Sequence, residues 1–133
     1  MLDSDATIAG NPAHAEMRKG KAYLRVYALL IEAARFRGIV TYGDIAKIMG
    51  LPDRGSHMGL MTGRMLGAIS VHERDCGRPM ISAVVVSSTN RQPGPGFFGL
   101  AEQFGVIAPN LSRQERTAFW EAERDRVYGE WSD

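Results

Sequence analysis

An apolar helical stripe, followed by two short helix signals around a tight turn, constrains this chain more than any other feature. Tyr23, Val26, Tyr27, Leu30, Ile31 and Ala34 recur three and four residues apart. That spacing places side chains on one face of an α-helix and predicts a buried face ending near Gly38. Upstream, Asn11 and Pro12 read as an N-cap and a first helical position, with the helix gaining strength after Gly20. Downstream, Thr41 with Asp44 three residues on is a capping-box start, and Ile45, Ala46, Ile48 and Met49 follow before Gly50 supplies a stop. Leu51-Pro52-Asp53 is turn chemistry: Pro52 pushes Leu51 away from helix, and Asp53 is placed to cap a second helix. That second helix is expected to begin near Arg54 or Ser56. This layout is that of a helix-turn-helix unit.

Glycine recurs at every fourth position over Gly55, Gly59, Gly63 and Gly67. Each glycine inside a helix costs about 1 kcal/mol relative to alanine, so a continuous helix here needs compensation from close contacts, or else it breaks. Two uses suit such a stripe. It is either a small-residue groove that lets another element approach closely, or a bare backbone face offered to a phosphate chain or a partner.

Met80 to Ser88 is continuous and β-branched through Val84, Val85 and Val86, which predicts a strand buried on both faces. Thr89 to Gly96 holds neither helix nor regular strand and is expected to be a loop, in the place of a wing. Phe97 to Phe104 predicts a short helix ended by Gly105, with Val106-Ile107 as an edge strand. Ser112 and Glu115 form a second capping box, opening a C-terminal helix over 112–131 on which Trp120, Val127 and Trp131 share a face. The fold expected is α+β: a winged helix-turn-helix with a small sheet and an extra C-terminal helix. Residues 1–10 are read as a flexible tail and 11–133 as one domain, a size of chain that buries a core without disulfides or a structural metal.

Charge narrows the function classes less than its total suggests. The net charge is +1, but residues 14–40 carry six basic against two acidic side chains, 54–78 four against two, and 111–133 four against six. That polarity permits a modest anion-binding face and falls short of a protein that coats nucleic acid. The single cysteine, Cys76, excludes an internal disulfide. With no basic start and apolar run at the first residues, and no apolar stretch of about 20 residues, a cytoplasmic location without membrane insertion is expected.

The run I-V-T-Y-G-D-I-A-K-I-M-G-L-P, Ile39 to Pro52, resembles the start of the DNA-binding helix-turn-helix of alkylguanine-DNA alkyltransferases and alkyltransferase-like proteins. The likeness covers about 40 to 60 residues and is specific over the first 14. It implies a winged-helix-like domain that enters the minor groove and flips a damaged base. On this resemblance Tyr42 matches a tyrosine beside the rotated phosphate, Gly59 a glycine of the recognition helix, and Ser56 the position of the family's arginine finger. The resemblance then departs. Where the transferases carry P-C-H-R, this chain has Pro79, Met80, Ile81 and Ser82. Met80 replaces the alkyl-accepting cysteine, which argues against alkyl transfer and against an enzyme.

Other chemical readings are weaker. His72 and Cys76, four apart, fall on one helical face if the helix extends that far, as a nucleophile with its base or as two metal ligands. No second pair at ligand spacing exists, so neither a metal nor a cofactor is expected. Gly94 and Gly96 lack the lysine and the strand-loop-helix order of a phosphate loop. Glu121 with Asp125 reads as a solvated helix face.

For DNA the relevant set is geometric. Arg54, His57 and Arg64 fall within about 80° of one another on the expected recognition helix, beside the stripe Met58, Met61, Met65 and Ile69. Ser56 belongs to the same surface, Tyr42 and Lys47 support it from the preceding helix, and Arg91 sits at the loop tip. Non-catalytic binding of double-stranded DNA is the function expected. The alternative is a protein-interaction adaptor or inhibitor on the same scaffold, gripping a partner or a second copy through Trp120, Tyr128 and Trp131 of the C-terminal helix.

Overall fold

The computed structural model describes residues 12–132. Among them are six α-helices and a two-stranded sheet: α1 (Pro12–Lys19), α2 (Lys21–Arg35), β1 (Val40–Thr41), α3 (Tyr42–Ile48), α4 (Ser56–Asp75), a 3₁₀ turn (Ile81–Val84), β2 (Val85–Val86), α5 (Pro95–Gln103) and α6 (Arg113–Trp131). The tail expected over residues 1–10 and the Asn11 cap lie outside the described residues.

The predicted stripe forms the inner face of α2: Tyr23, Val26, Leu30 and Ala34 are buried. The helix does not run through from Pro12, however. Gly20 adopts an extended conformation (φ −86°, ψ 155°), which separates α1 from α2 and lets α1 fold over onto α4. Thr41 and Asp44 form the expected capping box of α3, with Asp44 N–H donating to Thr41 Oγ1 at 3.2 Å and Thr41 N–H to Asp44 Oδ2 at 3.0 Å.

The glycine segment is one continuous helix of 20 residues, α4. Its N-cap is Gly55 at φ 102°, a conformation for which glycine is suited, and no side chain caps it. Asp53, expected to cap, instead meets Arg54 at 3.3 Å, and Arg54 falls in the turn before the helix. The compensation for the internal glycines is found at Gly67, where an added Cβ would stand 2.9 Å from His14 Nε2. The close approach there is that of α1. At Gly59 and Gly63 nothing lies within 4 Å of such a Cβ.

Two expected strands are replaced by other structure. Met80 to Val86 is buried throughout, as its composition predicts, but only Val85 and Val86 pair, in parallel with Val40 and Thr41. Ile81 to Val84 has no strand beside it and turns on itself instead. Ala83 N–H donates to Met80 O at 3.0 Å, and Ala83 O accepts the Trp120 indole N–H at 2.8 Å. Val106 is no edge strand: its N–H donates to Ala101 O at 3.1 Å, closing the end of α5 around Gly105 at φ 76°.

The core lies where α2, the middle of α4, the 3₁₀ turn and α6 meet, with Val26, Leu30, Ile45, Ile69, Ile81 and Val127 fully buried. The architecture is mostly helical with a small parallel sheet, within the α+β class. No helix among the described residues is long and apolar enough to cross a membrane.

Candidate functional site

A cleft of about 900 Å³ lies between α4, the start of α3, loop 87–94 and α5. Small-molecule sites occupy roughly 300–1,000 Å³, so the cleft has the capacity for a ligand of that class. Its composition follows from the glycine spacing. Gly59, Gly63 and Gly67 lie on one face of α4 and form one wall, while Gly94, Gly96 and Gly99 open the opposite side at the start of α5. Phe97, Leu66 and Leu100 supply apolar surface; Ser87, Ser88 and Thr89 bring hydroxyls from the loop.

Of the residues expected to meet DNA, Tyr42, Arg54 and Arg64 are brought together on this cleft. Tyr42 is held by its hydroxyl, which accepts the Gly94 N–H at 2.7 Å and so ties the start of α3 to the start of α5. Burial raises the Tyr42 pKa above its ordinary value; the Gly94 bond opposes that rise and is outweighed. Arg54 is almost wholly exposed, and its contact with Asp53 joins two solvated groups, which neutralises little. Arg64 is exposed, its Nη1 3.9 Å from Met61 Sδ. Ser56 and His57 open α4 and are exposed. Lys47 and Arg91 are also exposed but do not line the cleft.

Loop 87–94 is braced from within. Ser87 N–H donates to Gln92 O and Arg91 N–H to Ser87 O, both at 2.9 Å, and Gln92 N–H donates to Asn90 Oδ1 at 3.0 Å. These bonds hold Arg91 outward at φ 59°.

At the position where the resemblance places a reactive cysteine, Met80 is buried and offers a thioether. The nearby hydroxyl that reaches the cleft, Ser82, shares a hydrogen bond of 2.9 Å with Ser70. Neither position holds an activated nucleophile.

The aromatic side chains of α6 are turned mostly inward. Trp120 is buried with its indole N–H on Ala83 O, and Tyr128 is buried with its hydroxyl donating to Gly38 O at 2.7 Å. Trp131 is half-buried beneath the Arg78 guanidinium. These rings are apolar bodies with a polar tip, and the tips of Trp120 and Tyr128 fasten α6 to the core.

Sequence reasoning missed the polar groups inside the molecule. Glu73 has no exposed surface, yet it accepts Nε and Nη2 of Arg78, at 3.1 and 2.8 Å, together with the Tyr27 hydroxyl. The paired carboxylate raises the Arg78 pKa, and burial followed by the Glu73 bond raises that of Tyr27. Glu123 is buried as well, accepting the Met80 N–H at 2.8 Å and Arg126 Nε at 3.0 Å. Both acids satisfy the rule that a buried charge needs a partner, and both anchor the segment entering the 3₁₀ turn. The signal available in the sequence is the helical spacing that puts Glu73 on the same face as Ile69.

His72 and Cys76 do share a face at the end of α4, exposed, with Sγ and Nε2 3.6 Å apart. Among the described residues no three groups converge as metal ligands within one chain. No family model, curated protein or solved structure matches the chain, so the functional reading rests on this geometry.

Proposed function

We propose that the chain binds DNA without chemistry on it, as a helix-turn-helix whose loop 87–94 acts as the wing. The observation that carries the reading is the position of Arg54 and Arg64 on the rim of a glycine-walled cleft, with His57 exposed beside them. Exposed guanidinium groups bind phosphates at little desolvation cost. Bare glycine backbone lets a nucleic-acid strand come closer than side chains would allow. Lys47 on α3 and Arg91 in loop 87–94 are further exposed cations for phosphates, and the cleft receives a base displaced from the stack, between Tyr42, Phe97 and the glycine walls.

Fluorescence anisotropy with a labelled duplex, a single strand and a duplex carrying one mismatched pair tests this at low salt. Binding is expected to weaken linearly in log salt, with a slope reduced by about 1 for each of Arg54→Ala and Arg64→Ala. Gly63→Leu, which fills open space, is expected to leave duplex binding in place and abolish any preference for the mismatch. Absence of binding at micromolar protein, or an unchanged slope in both arginine variants, overturns the reading.

A further inference from the structure

A separate pocket of about 430 Å³ lies at the other end of α4, between the turn 77–80, the end of α5 and the middle of α6. Three arginines from different segments line it: Arg74 from the last turn of α4, Arg78 from the turn that follows, and Arg126 from α6. Like charges repel, so their convergence needs a cause. Two buried acids supply part of it. Glu73 accepts Nε and Nη2 of Arg78, and Glu123 accepts Nε and Nη2 of Arg126. Each carboxylate covers one edge of its guanidinium, which leaves Nη1 for another acceptor.

The third cation has no such partner. Arg74 meets no carboxylate among the described residues and lies over the Phe104 ring, 4.9 Å from its centroid. With two acids against three arginines, the cluster keeps one uncompensated positive charge. The carbonyl end of α4 does little to offset it, because the N–H groups of Cys76, Gly77 and Arg78 occupy the carbonyls of His72, Glu73 and Arg74. The rest of the lining is apolar. Phe104 is buried, Phe119 half-buried, and Val106 keeps 56% of its surface in water. Apolar walls with a few directed polar groups, in a volume of roughly 300–1,000 Å³, are the form of a small-molecule site.

The single surplus charge selects the anion. A carboxylate brings the cluster to neutrality, whereas a phosphate monoester carries about 1.5 to 2 negative charges at pH 7 and sets the excess beside Glu123. A planar carboxylate also matches the fork of guanidinium donors. We infer that this pocket binds a small organic monocarboxylate, its charged end among Arg74, Arg78 and Arg126 and its apolar body over Phe119 and Val106. None of these residues lines the cleft of the DNA reading, so the inference goes beyond that reading and stands or falls without it.

The full chain, labelled with nitrogen-15, is titrated with phenylacetate and in parallel with phenylacetamide and phenyl phosphate. Saturable shifts of the Gly77, Val106 and Phe119 amides and of arginine Nε–H are expected with phenylacetate. The neutral amide is expected to bind at least about tenfold more weakly, since it forms no charged pair, and phenyl phosphate more weakly than phenylacetate. Arg74→Gln removes the unpaired cation without stranding a buried acid, and is expected to weaken phenylacetate about tenfold. Val106→Ser, at an exposed position, is expected to weaken it about threefold by removing apolar cover. Both variants are expected to keep the wild-type circular dichroism. Gly63→Leu, which fills the other cleft, is expected to leave phenylacetate affinity unchanged. Equal affinity for acid and amide, tighter binding of phenyl phosphate, unchanged affinity in either pocket variant, loss of binding in Gly63→Leu, or no saturable shift at millimolar phenylacetate overturns the inference.

Discussion

Gly63 and Gly67 share one helical spacing but not one environment, and that difference decides what each does. Gly67 lies under the His14 ring, so a methyl group there displaces a buried side chain and loosens α1. Gly63 faces the cleft and meets nothing. Replacement by alanine relieves the conformational freedom of the unfolded glycine at both sites, a gain of about 0.5–1 kcal/mol where no clash opposes it. Gly63→Ala is therefore expected to raise the urea midpoint by that free energy. Gly67→Ala is expected to fall at least about 1 kcal/mol below it, because the displaced His14 offsets the gain. Equal stability of the two variants would show that α1 does not depend on the close approach. The repeat itself was legible in the sequence. Which glycines are covered was not, since α1 begins more than 50 positions away from Gly67 and its docking is long-range.

At the level of elements, the helix boundaries were set mostly by neighbours in sequence. Four helices end in the same way, through a residue in the left-handed region at Arg37, Gly50, Gly77 or Gly105. In each, the next N–H reaches back five residues: Gly38 to Ala33, Leu51 to Ala46, Arg78 to Glu73 and Val106 to Ala101. The two capping boxes likewise involve residues three apart. In the second, Glu115 N–H donates to Ser112 Oγ at 3.1 Å and Ser112 N–H to Glu115 Oε1 at 2.8 Å, and these bonds hold the Glu115 pKa below its ordinary value. Ser112→Ala is expected to cost about 1 kcal/mol in urea unfolding and to increase amide exchange over the first turn of α6 alone. Uniform exchange along α6 would refute a local cap. Of the two strands that sequence misread, the longer one, over 80–88, has backbone bonds that depend on distant partners, with Trp120 taking a carbonyl that a neighbouring strand would otherwise take.

For the molecule as a whole, tyrosine hydroxyls are fasteners between distant segments. Tyr27 joins α2 to Glu73 of α4, Tyr42 joins α3 to Gly94, and Tyr128 joins α6 to Gly38. Burial raises the pKa of all three above the ordinary value of 10.0. Above pH 10 the unfolded chain then releases protons that the folded chain retains, so unfolding is favoured as pH rises. Stability is expected to be flat below pH 10 on account of these groups and to fall above it, continuing until the folded hydroxyls themselves ionise. Tyr27→Phe should flatten that decline. Urea unfolding measured from pH 8 to 11, with tyrosinate absorbance of the folded protein, checks it, and stability rising with pH in that range would contradict it.

The apolar stripe of α2, both capping boxes, the stops at Gly50 and Gly105 and most of the loop expected over 89–96, whose last two residues, Pro95 and Gly96, open α5 instead, were determined by the sequence alone, because each rests on interactions within about five residues or on backbone restriction at proline and glycine. Tertiary contact decided the rest. It buried Glu73 against Arg78, turned the aromatic tips of α6 inward, and assembled a cleft from positions as far apart as His14 and Gln103. Local pattern carries no record of such meetings: whether a charge, an indole or a glycine faces solvent depends on which distant surface arrives beside it.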